Sequence, residues 1–406
     1  MKSIICIALS LGACGLACAK PVVSDVKVSQ NGATRLVTVS YALSENAVVT
    51  FDVRTNGVSI GGTHVWSVVG DANVAVSATE GDERRHIYWQ PSRDWADVEI
   101  ADGSLEMAVT AWPKDDPPPY LAVDLICQNV RNWYAGPDFM PGTVTNDLYK
   151  MSKLVLRRIP AKGATFRMGS PLTEKARNGS RERLHWVAFT NDWYAGVYEI
   201  TQRQGAYIRG SEPQSSAGMG TTIPLASTSL EAFRGSISAG YNWPTNGSNV
   251  GPDSRLFRLR YQTGLLFDLP TEAMWEFTCR AGTLTAYNSG TETNIEEYAW
   301  FASNSGGVRH PVGLKKPNAW GLYDMIGNAE EVCLDHFEDN LAQYGSVVTN
   351  PPGTSVEIDK YRPSRGGHIG GGYNDGQARS AYRTKLNYDS YGTATGFRVF
   401  CPAICP

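Results

Sequence analysis

The stretch Leu269-Pro-Thr-Glu-Ala-Met-Trp-Glu-Phe-Thr-Cys-Arg-Ala-Gly282 reads as a short amphipathic helix. Pro270 suits the first helical turn and Thr271 suits a cap, while Ala273, Trp275, Glu276 and Arg280 follow at helical spacing and Gly282 ends the run. About forty residues on, Pro317-Asn-Ala-Trp-Gly-Leu-Tyr-Asp-Met-Ile-Gly-Asn-Ala-Glu-Glu331 carries an apolar cluster into a Gly-Asn turn and two carboxylates. Oxygen ligands on a tight turn suit a hard cation. A third piece, Arg365-Gly-Gly367 to Gly396-Phe-Arg-Val399, brackets a polar, glycine- and tyrosine-rich stretch between two strand-like ends.

Working outward, 406 residues favour two domains after a leader, each able to bury a core. Only 19% of residues are charged, while Gly numbers 41, Trp 11 and Tyr 19, which points to a loop-rich β or mixed protein rather than a helical bundle. A net charge of −3 gives no electrostatic case for nucleic acid or an anionic membrane.

Residues 1–19 have the charged start, apolar middle and Ala17-Cys-Ala19 end of a secretory signal peptide, with an apolar run too short to span a bilayer. Cleavage after Ala19 is expected, giving an exported, periplasmic, cell-surface or secreted protein. Leu11-Gly-Ala-Cys14 also resembles a bacterial lipobox, which would leave a lipid anchor on Cys14. Removing the leader leaves Cys127, Cys279, Cys333, Cys401 and Cys405, an odd set in which Cys401 and Cys405 are close enough to close a small loop. Without paired Cys-x-x-Cys motifs, structural zinc is not expected.

From residue 20 to 115 the pattern has period two. Val37, Val39 and Tyr41 alternate with Thr38 and Ser40, and Val49, Phe51 and Val53 alternate with Thr50 and Asp52. Further strands are expected at His86–Trp89 and Leu105–Trp112, with turn signals at Asn56-Gly57 and Asp102-Gly103. The expectation is an antiparallel β-sandwich of immunoglobulin or fibronectin type. His64 and His86 stand alone among apolar neighbours and read as packing or surface residues.

Pro117–Pro119 marks a boundary, because proline cannot donate to a sheet. Residues 116–150 read as a linker and lead-in, 151–402 as the second domain and 403–406 as a tail. Within that domain Lys153–Ile159 and Ala164–Met168 read as strands, Glu174–Arg183 as a charged loop, His185 as a loop residue and Ser211–Asp253 as a long loop region with Phe233 and Trp243 as its large apolar residues.

Taken in order, the 269–282 helix, the 317–331 segment, Ser364-Arg-Gly-Gly367 and Gly396-Phe-Arg-Val399 resemble the formylglycine-generating enzyme, or sulfatase-modifying factor, family. The resemblance extends to Phe166-Arg-Met-Gly-Ser-Pro171 and Val197-Tyr-Glu-Ile-Thr-Gln202, covering about 150 to 402. It implies an α+β, loop-rich, C-type-lectin-like fold. It also implies copper chemistry by two cysteines just after the Gly-Gly that aligns with Gly366-Gly367, but here His368-Ile-Gly-Gly-Gly-Tyr-Asn-Asp-Gly376 holds no thiol. Glycine offers no soft donor, so neither copper nor formylglycine-generating activity is expected.

The resemblance further implies a structural calcium site at Gly327, Asn328, Ala329 and Glu331, although Glu330 stands where the family has tryptophan; a metal-free turn is the alternative. The terminal stretch supplies the small, amphipathic and hydrogen-bonding residues of binding surfaces: His368, Tyr373, Asn374, Asp375, Tyr388, Asp389, Ser390 and Tyr391. Arg365, Arg383 and Phe397 read as framework. This placement resembles the variable region of bacterial proteins diversified by retroelements. Two functions follow: a non-catalytic protein presenting these loops to an unidentified protein, glycan or small molecule, or a non-haem iron oxidoreductase using His336, His368 and a carboxylate such as Asp335, as related sulfoxide synthases hold iron by histidines.

Overall fold

The computed structural model describes residues 20–96, 105–210, 220–226, 229–236, 241, 250–291, 293–339, 347–351, 361–371, 376–387 and 394–404. The leader, Asp102-Gly103, Trp243, Cys405 and seven of the eight expected binding-face residues (Tyr373, Asn374, Asp375, Tyr388, Asp389, Ser390 and Tyr391) lie outside them. Two compact units divide the chain: residues 1–122, 131–146 and 403–406, and residues 123–130 and 147–402. Among the described residues no helix is long and apolar enough to cross a membrane.

The first unit contains β1 (Val23–Gln30), β2 (Val37–Leu43), β3 (Ala47–Thr55), β4 (Val58–Ser59), β5 (Val69–Gly70), β6 (Val74–Val76), β7 (Arg85–Trp89) and β8 (Leu105–Trp112). One described sheet runs β1-β2-β7-β5, and in the other β3 pairs with β4, β6 and β8, every pairing being antiparallel. The period-two reading holds: Val37, Val39, Tyr41 and Leu43 alternate inward along β2 and cluster with Phe51, Val53, Ile87, Trp89 and Met107. Asn56 and Gly57 both take positive φ, so they form the two-residue turn that joins β3 to β4.

The 116–150 stretch is built rather than loose. It carries β9 (Tyr120–Asp124), β10 (Arg131–Tyr134) and a short helix at Leu148–Met151, and is shared between the two units. Tyr120 to Val123 are all buried, so this run reads as a core strand once its neighbours are present.

The second unit contains β11 (Lys153–Ile159), β12 (Thr165–Met168), β13 (His185–Ala188), β14 (Trp193–Gly196), β15 (Glu330–Val332), β16 (Val347–Thr349), β17 (Tyr361–Arg365), β18 (Arg383–Asn387), β19 (Thr395–Gly396) and β20 (Phe400–Pro402). Within this unit β11, β14 and β20 are neighbours in one described sheet, and two others run β12-β13-β16 and β18-β17-β15-β19. His185, expected in a loop, begins β13. The core gathers Trp193, Trp275, Phe277, Phe301, Leu322, Met325, Ile326 and Phe400. Phe233, in the helix Leu230–Arg234, is fully buried against Phe397, so part of the expected long loop is core.

The organising helix spans Glu272–Arg280. Thr271 caps it, accepting from the Met274 amide at 3.2 Å. Two details differ from expectation. Pro270 lies before the cap, its carbonyl accepting from Leu334 N–H, and Ala281 rather than Gly282 takes the left-handed closing conformation at φ 46°. Trp275 is fully buried and eight of the nine helical residues are buried, including Glu272, Glu276 and Arg280. Three buried charges on nine residues require partners, because an unpaired ion in a dry interior is costly.

Candidate functional site

Those partners come from the C-terminal strands. Arg383 donates through Nε and Nη2 to the two oxygens of Glu272, each at 2.6 Å. Arg365 pairs with Glu276, donates to the Tyr382 carbonyl at 2.6 Å and lies over the Trp275 ring. Arg398 grips Glu331 through Nε and Nη2, and the Trp275 indole N–H donates to the same carboxylate at 2.7 Å. Burial alone would raise the Glu276 carboxyl, but Arg280 and Arg365 outweigh it and hold it below the usual carboxylate range. Arg365, Arg383 and Phe397 are thus the buried framework that the sequence reading assigned them.

The charged 174–183 loop has a role that sequence reading missed. Glu174 and Glu182 clamp Arg379 at 2.6 and 2.7 Å, fastening this loop to the segment that precedes β18. Charge-assisted contacts of this length are the strong class of hydrogen bond.

The Gly327–Glu331 turn folds as the Gly-Asn signal suggests, with φ of 79° at Gly327 and 59° at Asn328. A Cβ on Gly327 would meet the Trp300 carbonyl at 2.2 Å, so no larger residue fits. The side chains of the turn are hydrogen-bonded within the protein. Asn328 Oδ1 accepts from His310 N–H at 3.0 Å and its amide donates to Glu199 at 2.8 Å. Both oxygens of Glu331 are taken by Arg398 and Trp275. Ala329 contributes its N–H to Glu199 at 2.9 Å. Hydrogen-bond donors thus face the side-chain oxygens of both Asn328 and Glu331.

Asp324 Oδ1 is one of the buried acceptors without a hydrogen-bond partner among the described residues, while its Oδ2 accepts from Gly313 N–H at 2.6 Å. Asp324 stands beside Glu199 and Glu331, and all three are buried. Burial, followed by the charges of Asp324 and Glu331, pushes Glu199 well above the carboxylate range, and burial pushes Asp324 up to about 6. Arg398 bears on all three carboxylates but does not outweigh their burial, so Glu199 and Asp324 favour holding a proton. Sequence reading passed over Glu199 and Asp324. The available signal was a single carboxylate inside an apolar run, Val197-Tyr-Glu-Ile200 and Leu322-Tyr-Asp-Met-Ile326.

The iron reading named His336, His368 and Asp335. Asp335 is buried and accepts from the Glu272 N–H at the start of the organising helix; burial and the Glu272 charge push it up to about 7. His336 is buried with Nδ1 against the Arg362 guanidinium, whose charge opposes a metal there. His368 is half-buried and its Nδ1 accepts from Gly370 N–H at 3.0 Å. Among the described residues no three His, Cys, Asp or Glu side chains converge as metal ligands. The described free thiols are Cys279, Cys333 and Cys401, all buried, and exposed Cys127. Burial pushes the Cys279 thiol up to about 12 and raises Cys333 and Cys401 further from the reactive thiolate form.

Around His368 the backbone is tied down from one side. Ser305 Oγ donates to the Ile369 carbonyl at 3.1 Å, Ala302 N–H to the Gly371 carbonyl at 3.1 Å, and Ile369 N–H to the Asn328 carbonyl at 3.3 Å. Trp300, whose carbonyl accepts from Asn328 N–H, is stacked on His310 with ring centroids 3.7 Å apart, and Lys315 Nζ lies 3.7 Å from the Trp300 ring centre.

The sulfatase-modifying factor enzyme 1-like domain matches residues 158–402, more than half the chain. The chain belongs to this family. Its loop-rich second unit is therefore the C-type-lectin-like fold that the motifs implied. The serine/threonine-protein kinase pkn1 of Chlamydia caviae is 31% identical over 240 residues, 57% of this chain and 37% of that protein. The chain thus spans little more than a third of that relative. Among solved structures, PvdO from Pseudomonas aeruginosa is similar at 23% identity and a TM-score of 0.49, covering 64% of this chain and 98% of its own. Treponema denticola variable protein 1 is similar at 24% identity and a TM-score of 0.47, covering 62% of this chain and 95% of its own.

Proposed function

We propose that this family member is an exported, non-catalytic protein that presents its C-terminal loops as a ligand-binding face. The carrying observation is the segment after Gly366-Gly367: it holds His368 and glycines where the family's oxidase chemistry needs thiols, while Cys279, Cys333 and Cys401 are sealed in the core as neutral thiols. The Arg365–Glu276, Arg383–Glu272 and Arg379–Glu182 pairs support this reading, since they anchor both flanks of the tyrosine-rich stretch in a rigid frame. A face built on a rigid frame tolerates change in its outward residues. The ligand is a protein, glycan or small molecule, and diversification of the loops by a retroelement belongs to the same proposal.

The test substitutes Tyr373, Tyr388 and Tyr391 singly by Ala, checks folding by thermal melt and screens glycan and surface-protein arrays. Binding is expected to weaken by about 2 kcal/mol or more at an aromatic anchor, with stability changed by within about 0.5 kcal/mol. Loss of stability in all three variants overturns the reading, as does conversion of a sulfatase-type cysteine peptide to its aldehyde in the presence of copper.

A structural calcium ion at the Gly327, Asn328, Ala329 and Glu331 turn is part of the proposal, with the neighbouring Asp324 carboxylate helping to hold it. A ligand bound only by the folded state stabilises it in proportion to the logarithm of its concentration over its dissociation constant. Calcium is expected to raise the melting temperature of the wild type and to leave Asp324→Ala unchanged. An equal calcium response in the two proteins, or none in the wild type, removes calcium from the proposal.

A further inference from the structure

The small sheet β12-β13-β16 has one face in the core and one in solvent. Side chains alternate along its strands, so Phe166, Met168 and Val187 turn inward and join the apolar core of the second unit. The residues between them turn outward. Arg167 on β12, Trp186 on β13 and Val347 on β16 are cross-strand partners in one row, and all three are exposed, Trp186 at 45% and Val347 at 52%. The next row carries Thr165 and Thr349, also exposed. The widest side chain of this face is therefore held in water rather than buried. The Arg167 guanidinium lies over its ring at 5.8 Å, within cation–π range.

The charge around this row is one-sided. From residue 162 to 192 the chain has six basic side chains, Lys162, Arg167, Lys175, Arg177, Arg181 and Arg183, and three acidic ones, in a protein whose net charge is −3. The three acids are all taken by arginines from outside that segment, Glu174 and Glu182 by Arg379 and Asp192 by Arg158. Among the described residues only Arg181 of the six forms an ion pair, with Asp339. Lys162 precedes β12 and Arg183 precedes β13, and both are exposed with Arg167. Unmatched charge of one sign selects a partner of the other.

From this geometry we infer that the outward face of β12-β13-β16 is a second binding surface and takes an acidic glycan, a sugar chain carrying carboxylate or sulfate groups. Trp186 offers a flat apolar surface to the C–H face of a sugar ring, and Arg167 beside it offers a planar fork to the acid group. Thr165 and Thr349 lie one row on, as partners for sugar hydroxyls. One aromatic ring with a polar row beside it suits a sugar chain better than a protein partner, whose interface has a larger apolar core. The surface lies wholly within 162–192 and 347–349, so it stands whether or not the C-terminal loops bind a ligand.

The experiment measures binding of the full chain to polygalacturonate and to dextran sulfate by titration calorimetry. Methyl-esterified polygalacturonate and dextran serve as the uncharged counterparts, and polyglutamate as an acidic polypeptide. Wild type is expected to bind an acidic glycan, more weakly as ionic strength rises, and neither uncharged counterpart. Trp186→Ala is expected to weaken that binding about tenfold, and Arg167→Gln to weaken it several-fold and flatten its salt dependence. Melting curves confirm that both variants, each at an exposed position, fold as the wild type does. Absence of acidic-glycan binding by wild type overturns the inference. Unchanged binding by either variant also overturns it, since the attraction would then be diffuse charge alone. Equal binding of polyglutamate overturns it by making the partner an acidic polypeptide.

Discussion

In the first unit Val39, Tyr41, Val53, Ile87 and Trp89 meet across two sheets as an apolar cluster, while in the second unit the organising Trp275 is surrounded by Glu276, Glu331, Arg365 and Arg398. The first kind of core is non-directional and reports only that side chains point inward. The second kind is directional. Arg365, Arg383 and Arg398 each pair with a carboxylate, and the guanidinium forks also satisfy loop carbonyls, as Arg398 does for Gly196 and Tyr323 at 2.9 Å. The described strands of the second unit are mostly short, and buried hydrogen-bonded ion pairs help to hold the long segments between them. Such networks specify one arrangement strongly, and breaking one partner is severe because the other is left charged and dry.

The comparison is broken most sharply by Glu331→Leu. It leaves the fully buried Arg398 without its carboxylate and is expected to cost about 3–5 kcal/mol, read as a fall in melting temperature or loss of soluble protein. A small effect would mean that Arg398 is satisfied by its carbonyl contacts alone.

Asp335→Asn tests the electrostatic core in the opposite direction. Asp335 has its folded value raised to about 7 from the ordinary 3.8, so the folded protein binds the proton more tightly than the unfolded chain. Its ionisation therefore removes stability as pH rises from about 4 to about 7, and protonation restores it as pH falls. Asparagine keeps an oxygen for the Glu272 N–H but cannot ionise. The variant is expected to lose this fall in stability with pH, a difference on the order of 2 kcal/mol at pH 7 in denaturant titrations at several pH values. Identical pH slopes in the two proteins would show that folding does not raise the Asp335 carboxyl above its ordinary value.

The smallest effect belongs to the apolar core. Ile87→Val removes one methylene from a fully buried position in β7 and is expected to cost about 0.5–1.5 kcal/mol with no change in pH dependence. A pH-dependent effect there would blur the distinction between the two cores.

Much of the fold was legible. The alternation in β2 and β3, the Asn56-Gly57 turn and the Thr271 cap each depend on residues within a few positions, where local sterics and hydrogen bonding decide. The Tyr120–Val123 strand was less so, because a continuous apolar run flanked by prolines has no period to read. The site was legible only in part. Gly327 and Asn328 were correctly seen as a turn, but the contacts of Arg398 and Trp275 with the Glu331 carboxylate were not legible.

What the sequence determined by itself was the alternating front unit, the capped helix of the second and a Gly-Gly segment without thiols; these are matters of composition and short-range spacing. What only the tertiary structure decided was which charges are matched. Arg398 reaches Glu331 over 67 residues, Arg365 reaches Glu276 over 89 and Arg383 reaches Glu272 over 111. No local rule ties residues so far apart, and strand pairing alone settles that Glu331 faces the arginines while Glu330, one residue earlier, faces the other way.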